Sequence, residues 1–324
     1  MFRRRNRRVV PTIGMTGAFF LLLLTGSLFA QSPTPTPDDP DQPVRIKTDL
    51  VTLTLTVTDP YNRLVSGLKK SDFKISDNNQ EQEIQFFSDT DAPVSVGILF
   101  DVSGSMNGDK IRKAQKALSR FIATSHPMDE YFLIAFNSRA QLLLDRTRDG
   151  DAVLRKLTLV KPTKDTALYD AVFLGVERVT RGSHQKRALL IISDGQDNAS
   201  RYNFGEVRRL MKETDVVTYS IGIMEGPETG TALGMQGQAY LDEISAVTGG
   251  TSFYPRSDVE MDEIFERIAL ELRHQYSLGY TPTDFQANGK WRKVKVKVKP
   301  PRGLPRLIVR SREGYYATPN SALR

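Results

Sequence analysis

The chain has 324 residues, 39% hydrophobic and 26% charged, a composition that describes a globular protein with room for two ordinary domains. It has no cysteine and only His126, His184 and His274, which excludes disulfides, thiolate nucleophiles and Cys-ligated zinc and argues against an HExxH or multi-His metal site. The net charge of +7 is mostly local: Arg3, Arg4, Arg5, Arg7 and Arg8 carry five of those charges, and the +2 that remains gives the body no nucleic-acid-binding character.

Basic residues 1–12 precede the apolar run IGMTGAFFLLLLTGSLFA at 13–30. A basic region, an apolar region and a small residue at the exit form a secretory signal pattern, with cleavage expected after Ala30. Without cleavage the run is long enough to anchor the chain in a bilayer, arginines inside and body outside. Residues 31–43 read as an extended Pro/Thr/Asp linker. The body is therefore expected in the periplasm, in the cell envelope or outside the cell, with a membrane contact only through the N-terminal segment.

Residues 44–91 read as β. Thr52, Thr54, Thr56 and Thr58 alternate with Val51, Leu53, Leu55 and Val57, which gives one hydroxylated and one apolar face. Short strands are expected near 73–75 and 83–87, separated by DNNQ. Residues 92–274 switch to strands alternating with helices. Strands are expected at 94–101, 131–136, 187–193 and 216–223, and helices at 109–125, 149–158, 167–181, 204–214, 239–248 and 258–273. This order predicts an α/β fold, a doubly wound and mainly parallel sheet with helices on both faces. The run ALLIIS at 188–193 has the unbroken apolar character of a strand buried on both sides. Gly-rich residues 226–238 lack periodicity and are expected to form a mobile loop.

Residues 275–316 return to β, with Lys293, Lys295, Lys297 and Lys299 alternating with Val294, Val296 and Val298. The lysines offer either a basic face for an acidic partner or the solvated side of a strand whose valines are buried, which also protects an edge; the second reading is favoured. Neither flanking β segment is large enough to bury a core alone. Segments 44–91 and 275–316 are therefore expected to pair into one small β-sandwich, with the α/β domain inserted between them and 317–324 as a tail.

Asp101 closes the first strand of the α/β region, and Ser103 and Ser105 follow it on alternate positions of a loop. Asp194 closes a second strand, and Thr166 lies just before a helix between the two. In a doubly wound sheet such strand ends share one crevice. Two carboxylates and three hydroxyls make an all-oxygen site suited to a hard cation, Mg²⁺ first, then Mn²⁺ or Ca²⁺.

DVSGS, TALYDA and SDGQD resemble, in order and spacing, the metal-ion-dependent adhesion site of von Willebrand factor type A domains. The resemblance covers about 92–274. With LTVTDPYNRLVSGLKKSDFKISDNNQEQEIQFF before it and QYSLGYTP after it, the chain is similar to the exported bacterial group of such proteins common in acidobacteria. The resemblance implies that Ser103 and Ser105 bind metal directly, Thr166 directly or through water, and Asp101 and Asp194 mainly through water. An acidic residue of a partner protein would complete the coordination. Where many such domains have Gly-Gly before the threonine, this chain has Lys164-Asp165, which bears on metal and partner preference.

A metal-dependent protein-binding module is thus the expected function, and not an enzyme. The alternatives are a structural envelope protein with a fold-stabilising metal, or a Mg²⁺-dependent hydrolase. Against the hydrolase, no second carboxylate follows Asp101 at DxD spacing, and no P-loop or GxSxG elbow with a His partner is present.

Overall fold

The computed structural model describes residues 50–318, apart from 107, 159, 161–164, 225–229, 302 and 304. The signal and linker readings of 1–43 lie outside the described residues, as does most of the tail. No helix among the described residues is long and apolar enough to cross a membrane.

Strand β1 (Val51–Thr58) buries its Val and Leu side chains in one core. After a 3-10 turn at Lys70–Asp72, β2 (Phe73–Asp77) and β3 (Gln80–Gln82) form a hairpin. Asn78 and Asn79 close it, both at positive φ, which asparagine tolerates and a two-residue hairpin turn requires. β4 (Phe86–Ser88) completes the N-terminal set.

β5 (Val94–Asp101) is buried at every residue. It is followed by α1 (Gly108–Thr124), β6 (Glu130–Phe136), β7 (Ala140–Thr147), α2 (Gly150–Leu157) and α3 (Leu168–Thr180). Then come β8 (Lys186–Ser193), α4 (Phe204–Glu213), β9 (Val217–Gly222), α5 (Ala232–Val247), β10 (Thr251–Phe253) and α6 (Asp258–Arg273). The six strands form one sheet in the order β10-β9-β8-β5-β6-β7, parallel except for β7. One apolar layer joins the sheet to α1 and α6, and a second joins it to α3, α4 and α5. This is the doubly wound α/β architecture that the strand–helix alternation predicts. From β5 the chain runs to β6 on one side, while β8 lies on the other, so the β5/β8 boundary is the switch point.

Four stretches differ from the sequence expectation. The strand expected near 83–87 is not one element: β3 ends at Gln82 and β4 starts at Phe86, with 83–85 in neither. β7 is a partly exposed edge strand whose pairing with β6 shifts register twice, so its period-two signal is broken. β10 is only three residues long. α5 begins at Ala232, inside the stretch read as a loop. Thr231 caps it by accepting from the Gly234 amide, and Gly237 within it lets the helix approach the backbone of Asp194 and Gly195 closely.

The chain ends in β11 (Tyr276–Tyr280), β12 (Trp291–Val298), β13 (Ile308–Ser311) and β14 (Gly314–Tyr316). These pair with the first four strands in two sheets, β13-β1-β11-β4 and β14-β12-β2-β3. Leu53, Leu55, Ile75, Tyr276, Leu278 and Tyr280 fill the space between them. Inside the same core Asp77 meets Arg292, with the Tyr280 and Tyr315 hydroxyls donating to its carboxylate.

Candidate metal centre

β5 and β8 are hydrogen-bonded neighbours with Phe100 opposite Ile192, so the residues that follow emerge side by side at one end of the sheet. Asp101 is wholly buried. Its Oδ1 accepts from the Ser103 amide at 2.8 Å, which folds the loop back over the strand end. Its Oδ2 accepts from the Ser193 hydroxyl at 2.6 Å, and that hydroxyl oxygen accepts in turn from the Gly195 amide at 3.1 Å. The Ser103 and Ser105 hydroxyls are in hydrogen-bond contact at 3.1 Å. Under them the buried Lys110 donates to the Ser105 carbonyl at 3.2 Å.

Asp194 is also buried. Its Oδ1 accepts from the Gln196 amide at 3.0 Å, while Oδ2 is buried with no hydrogen-bond partner among the described residues. The loop after it turns at Gly195, φ +82°, where a side chain would collide with the Gly237 carbonyl of α5. Glycine is required there both for the backbone angle and for the close approach.

Thr166 is buried and held at both ends of its peptide by Asn198. Its amide donates to Asn198 Oδ1 at 2.8 Å, and its carbonyl accepts from the Asn198 and Ala199 amides at 2.9 and 3.0 Å. The next amide, of Ala167, donates to the Asn137 carbonyl beyond β6. Thr166 is thereby strung between the loops that follow β6 and β8. Asp165 beside it is exposed; Lys164 lies outside the described residues.

Two nearby acids have other tasks. Asp197 accepts from the Tyr169 amide at the start of α3 and from the Ser200 hydroxyl. Asp170 accepts from the backbone amide and the guanidinium of Arg201. Both fasten the 197–203 loop. Ser193 and Asn198 were not singled out in the sequence, although both help build the site. The signal for Ser193 was its place between an apolar run and an acid; for Asn198 there was none beyond a turn-like composition.

Burial pushes the Asp101 carboxyl up to about 7, and the neighbouring Asp194 charge adds to the rise, against the hydrogen bonds from Ser103 and Ser193. Among the described residues no group of three or more His, Cys, Asp or Glu side chains is placed to hold a metal. The cluster instead supplies two carboxylates and neutral hydroxyls. A bound cation would relieve both the orphaned Asp194 oxygen and the opposed ionisation of Asp101, and an all-oxygen donor set fits a hard one.

Residues 96–196 match the model of the von Willebrand factor type A domain. An uncharacterized protein of Synechocystis sp., sll0103, is 24% identical over 108 residues, which is 32% of this chain and 26% of that protein. The chain spans about a quarter of the length of the curated relatives it matches. A solved von Willebrand factor type A structure from Catenulispora acidiphila is 13% identical, with a TM-score of 0.46 over 85% of this chain and 75% of its own. The mussel byssus proximal thread matrix protein 1 with a zinc-occupied MIDAS motif is 18% identical, with a TM-score of 0.47 over 60% of this chain and 49% of its own.

Proposed function

We propose that the chain is an exported, metal-dependent protein-binding module. Ser103, Ser105 and Thr166 would hold a divalent cation through their hydroxyls, with Asp101 and Asp194 balancing its charge. When bound, Mg²⁺, or Mn²⁺ or Ca²⁺ in its place, offers a coordination position to a carboxylate from outside. The partner is accordingly a protein presenting an acidic residue. Ser193 and the Ser103 amide fix Asp101, and Asn198 fixes Thr166, so the donors are oriented before a cation arrives. Export rests on the basic-then-apolar pattern of residues 1–30.

The observation that carries this reading is the buried Asp194 oxygen without a partner, next to a second buried carboxylate. A buried carboxylate oxygen left without a donor is expensive in a protein interior unless something positive meets it. Calorimetric titration of Mg²⁺, Mn²⁺ and Ca²⁺ into the wild type, Asp101→Ala and Ser103→Ala/Ser105→Ala tests it. Saturable binding to the wild type alone, with circular dichroism unchanged, is the expected result. Equal heats from all three proteins would rule the site out.

A further inference from the structure

β12 presents a charged face that takes no part in the metal site. Lys293, Lys295 and Lys297 stand exposed on one face of its sheet, and Lys299 continues the alternation just beyond the strand. Their Val neighbours point the other way, toward the sandwich interior. Among the described residues none of the four is ion-paired. The pairing of β12 with β2 places Lys74 directly opposite Lys297, on the same exposed face. Lys69 and Lys70 extend the patch past the end of β2, where the Lys299 amide donates to the Asp72 carbonyl.

Like charges directly opposite one another on a sheet are destabilising. Glu81 offsets this only in part, with its carboxylate 3.0 Å from Lys74 and both side chains largely exposed. A solvated strand face, or protection of a sheet edge, asks for a few charges and no like-charged pair across strands. A local conflict kept in an otherwise consistent fold marks a surface shaped by something outside it.

We infer that this lysine face docks on an anionic lipid surface. Side chains on a strand stand roughly perpendicular to the sheet, so the ammonium groups form a planar array rather than a groove. A planar array matches a bilayer better than it matches a linear polymer, which needs a channel to follow. Lysine is a mobile point charge, suited to diffuse attraction, whereas arginine would suit bidentate capture of single groups. The apolar stretch 13–30, read as an export signal or anchor, would bring the body to a membrane. The opposition of Lys74 and Lys297 becomes visible only with the strand register.

The test is site-resolved lysine acetylation of the full chain, read by mass spectrometry, with phosphatidylcholine vesicles with or without phosphatidylglycerol. This readout separates docking of the lysine face from any insertion of the N-terminal stretch. Lys74, Lys293, Lys295 and Lys297 should react about fivefold more slowly with the anionic vesicles. Lys116 and Lys156, exposed elsewhere, should not change, and high salt should abolish the protection. Lys293→Gln/Lys295→Gln should remove the protection of Lys74 and Lys297. Lys297→Gln alone should raise Tm slightly, which shows that the face can be changed without loss of fold. Uniform labelling with and without anionic vesicles would overturn the inference. So would protection by a soluble acidic polysaccharide but not by vesicles.

Discussion

The protein buries carboxylates in two ways. In the β-sandwich, Asp77 has no exposure, yet each of its oxygens has a partner: Arg292 Nε at 3.0 Å from Oδ1, and the Tyr280 and Tyr315 hydroxyls at 3.1 and 2.8 Å from Oδ2. Glu271 of α6 is treated alike, held by Arg267 at 3.1 Å and Arg310 at 2.5 Å. In the α/β domain, Asp101 and Asp194 lie side by side, one with its ionisation opposed and the other with an oxygen left alone. Burial is equal; satisfaction is not. On the proposed function, the difference separates a charge that holds the fold together from charges that would be kept for an ion.

Removing a carboxylate should therefore have opposite consequences in the two places. Asp77→Ala leaves the buried Arg292 guanidinium with Asp284 as its remaining carboxylate and takes the acceptor from the Tyr280 and Tyr315 hydroxyls, and it should cost about 3 kcal/mol in urea unfolding. Asp194→Asn, measured without divalent metal, should change stability little or raise it, because it relieves the charge opposing Asp101. Equal losses in the two variants would erase the distinction.

A pH series sharpens the comparison at lower energy. The folded Asp101 carboxyl sits at about 7, above the ordinary value of 3.8. Below the ordinary value both folded and unfolded states are protonated, and the group has no effect. Between the two values folding is favoured by keeping the proton, so this residue's penalty fades as pH falls from about 7 toward 3.8. A cation requires the carboxylate and must displace that proton. Metal affinity by calorimetry should then weaken about tenfold per pH unit below about 7, with proton release on binding. An affinity flat from pH 7.5 to 5.5 would mean that Asp101 is already ionised in the metal-free protein.

The two regions were unequally legible in the sequence. In the α/β domain an apolar run that ends in an acid states both the strand and the place of its last residue, so the sheet and the crowding of Asp101, Ser103 and Asp194 at its end follow from pattern alone. The α5 start was hidden because glycine suggests a loop. Only the packing of Gly237 against Gly195 shows why a helix would accept it. In the sandwich, the alternation of β1 and β12 is plain in the sequence, but register is not. The Asp77–Arg292 pair and the Lys74–Lys297 opposition both depend on the β2–β12 register, which no local pattern encodes.

The close contact of α5 with the site loop gives the smallest and most specific test. A Cβ at position 237 would lie 2.6 Å from the Asp194 carbonyl oxygen, which belongs to backbone and has no rotamer into which to retreat. Alanine favours a helix over glycine by about 1 kcal/mol, while overpacking costs about 1–3 kcal/mol. Gly237→Ala should thus lose about 1 kcal/mol of stability, the two effects partly cancelling. Its effect on the metal should be larger than this loss suggests, because the displaced segment is the one that holds Asp194. Asp77 has no such dependence, being fixed by side chains from three strands. A Gly237→Ala protein that binds metal as the wild type does would show that the Asp194 loop is free to shift, and that the site's geometry is set by Asp101 and the two serines alone.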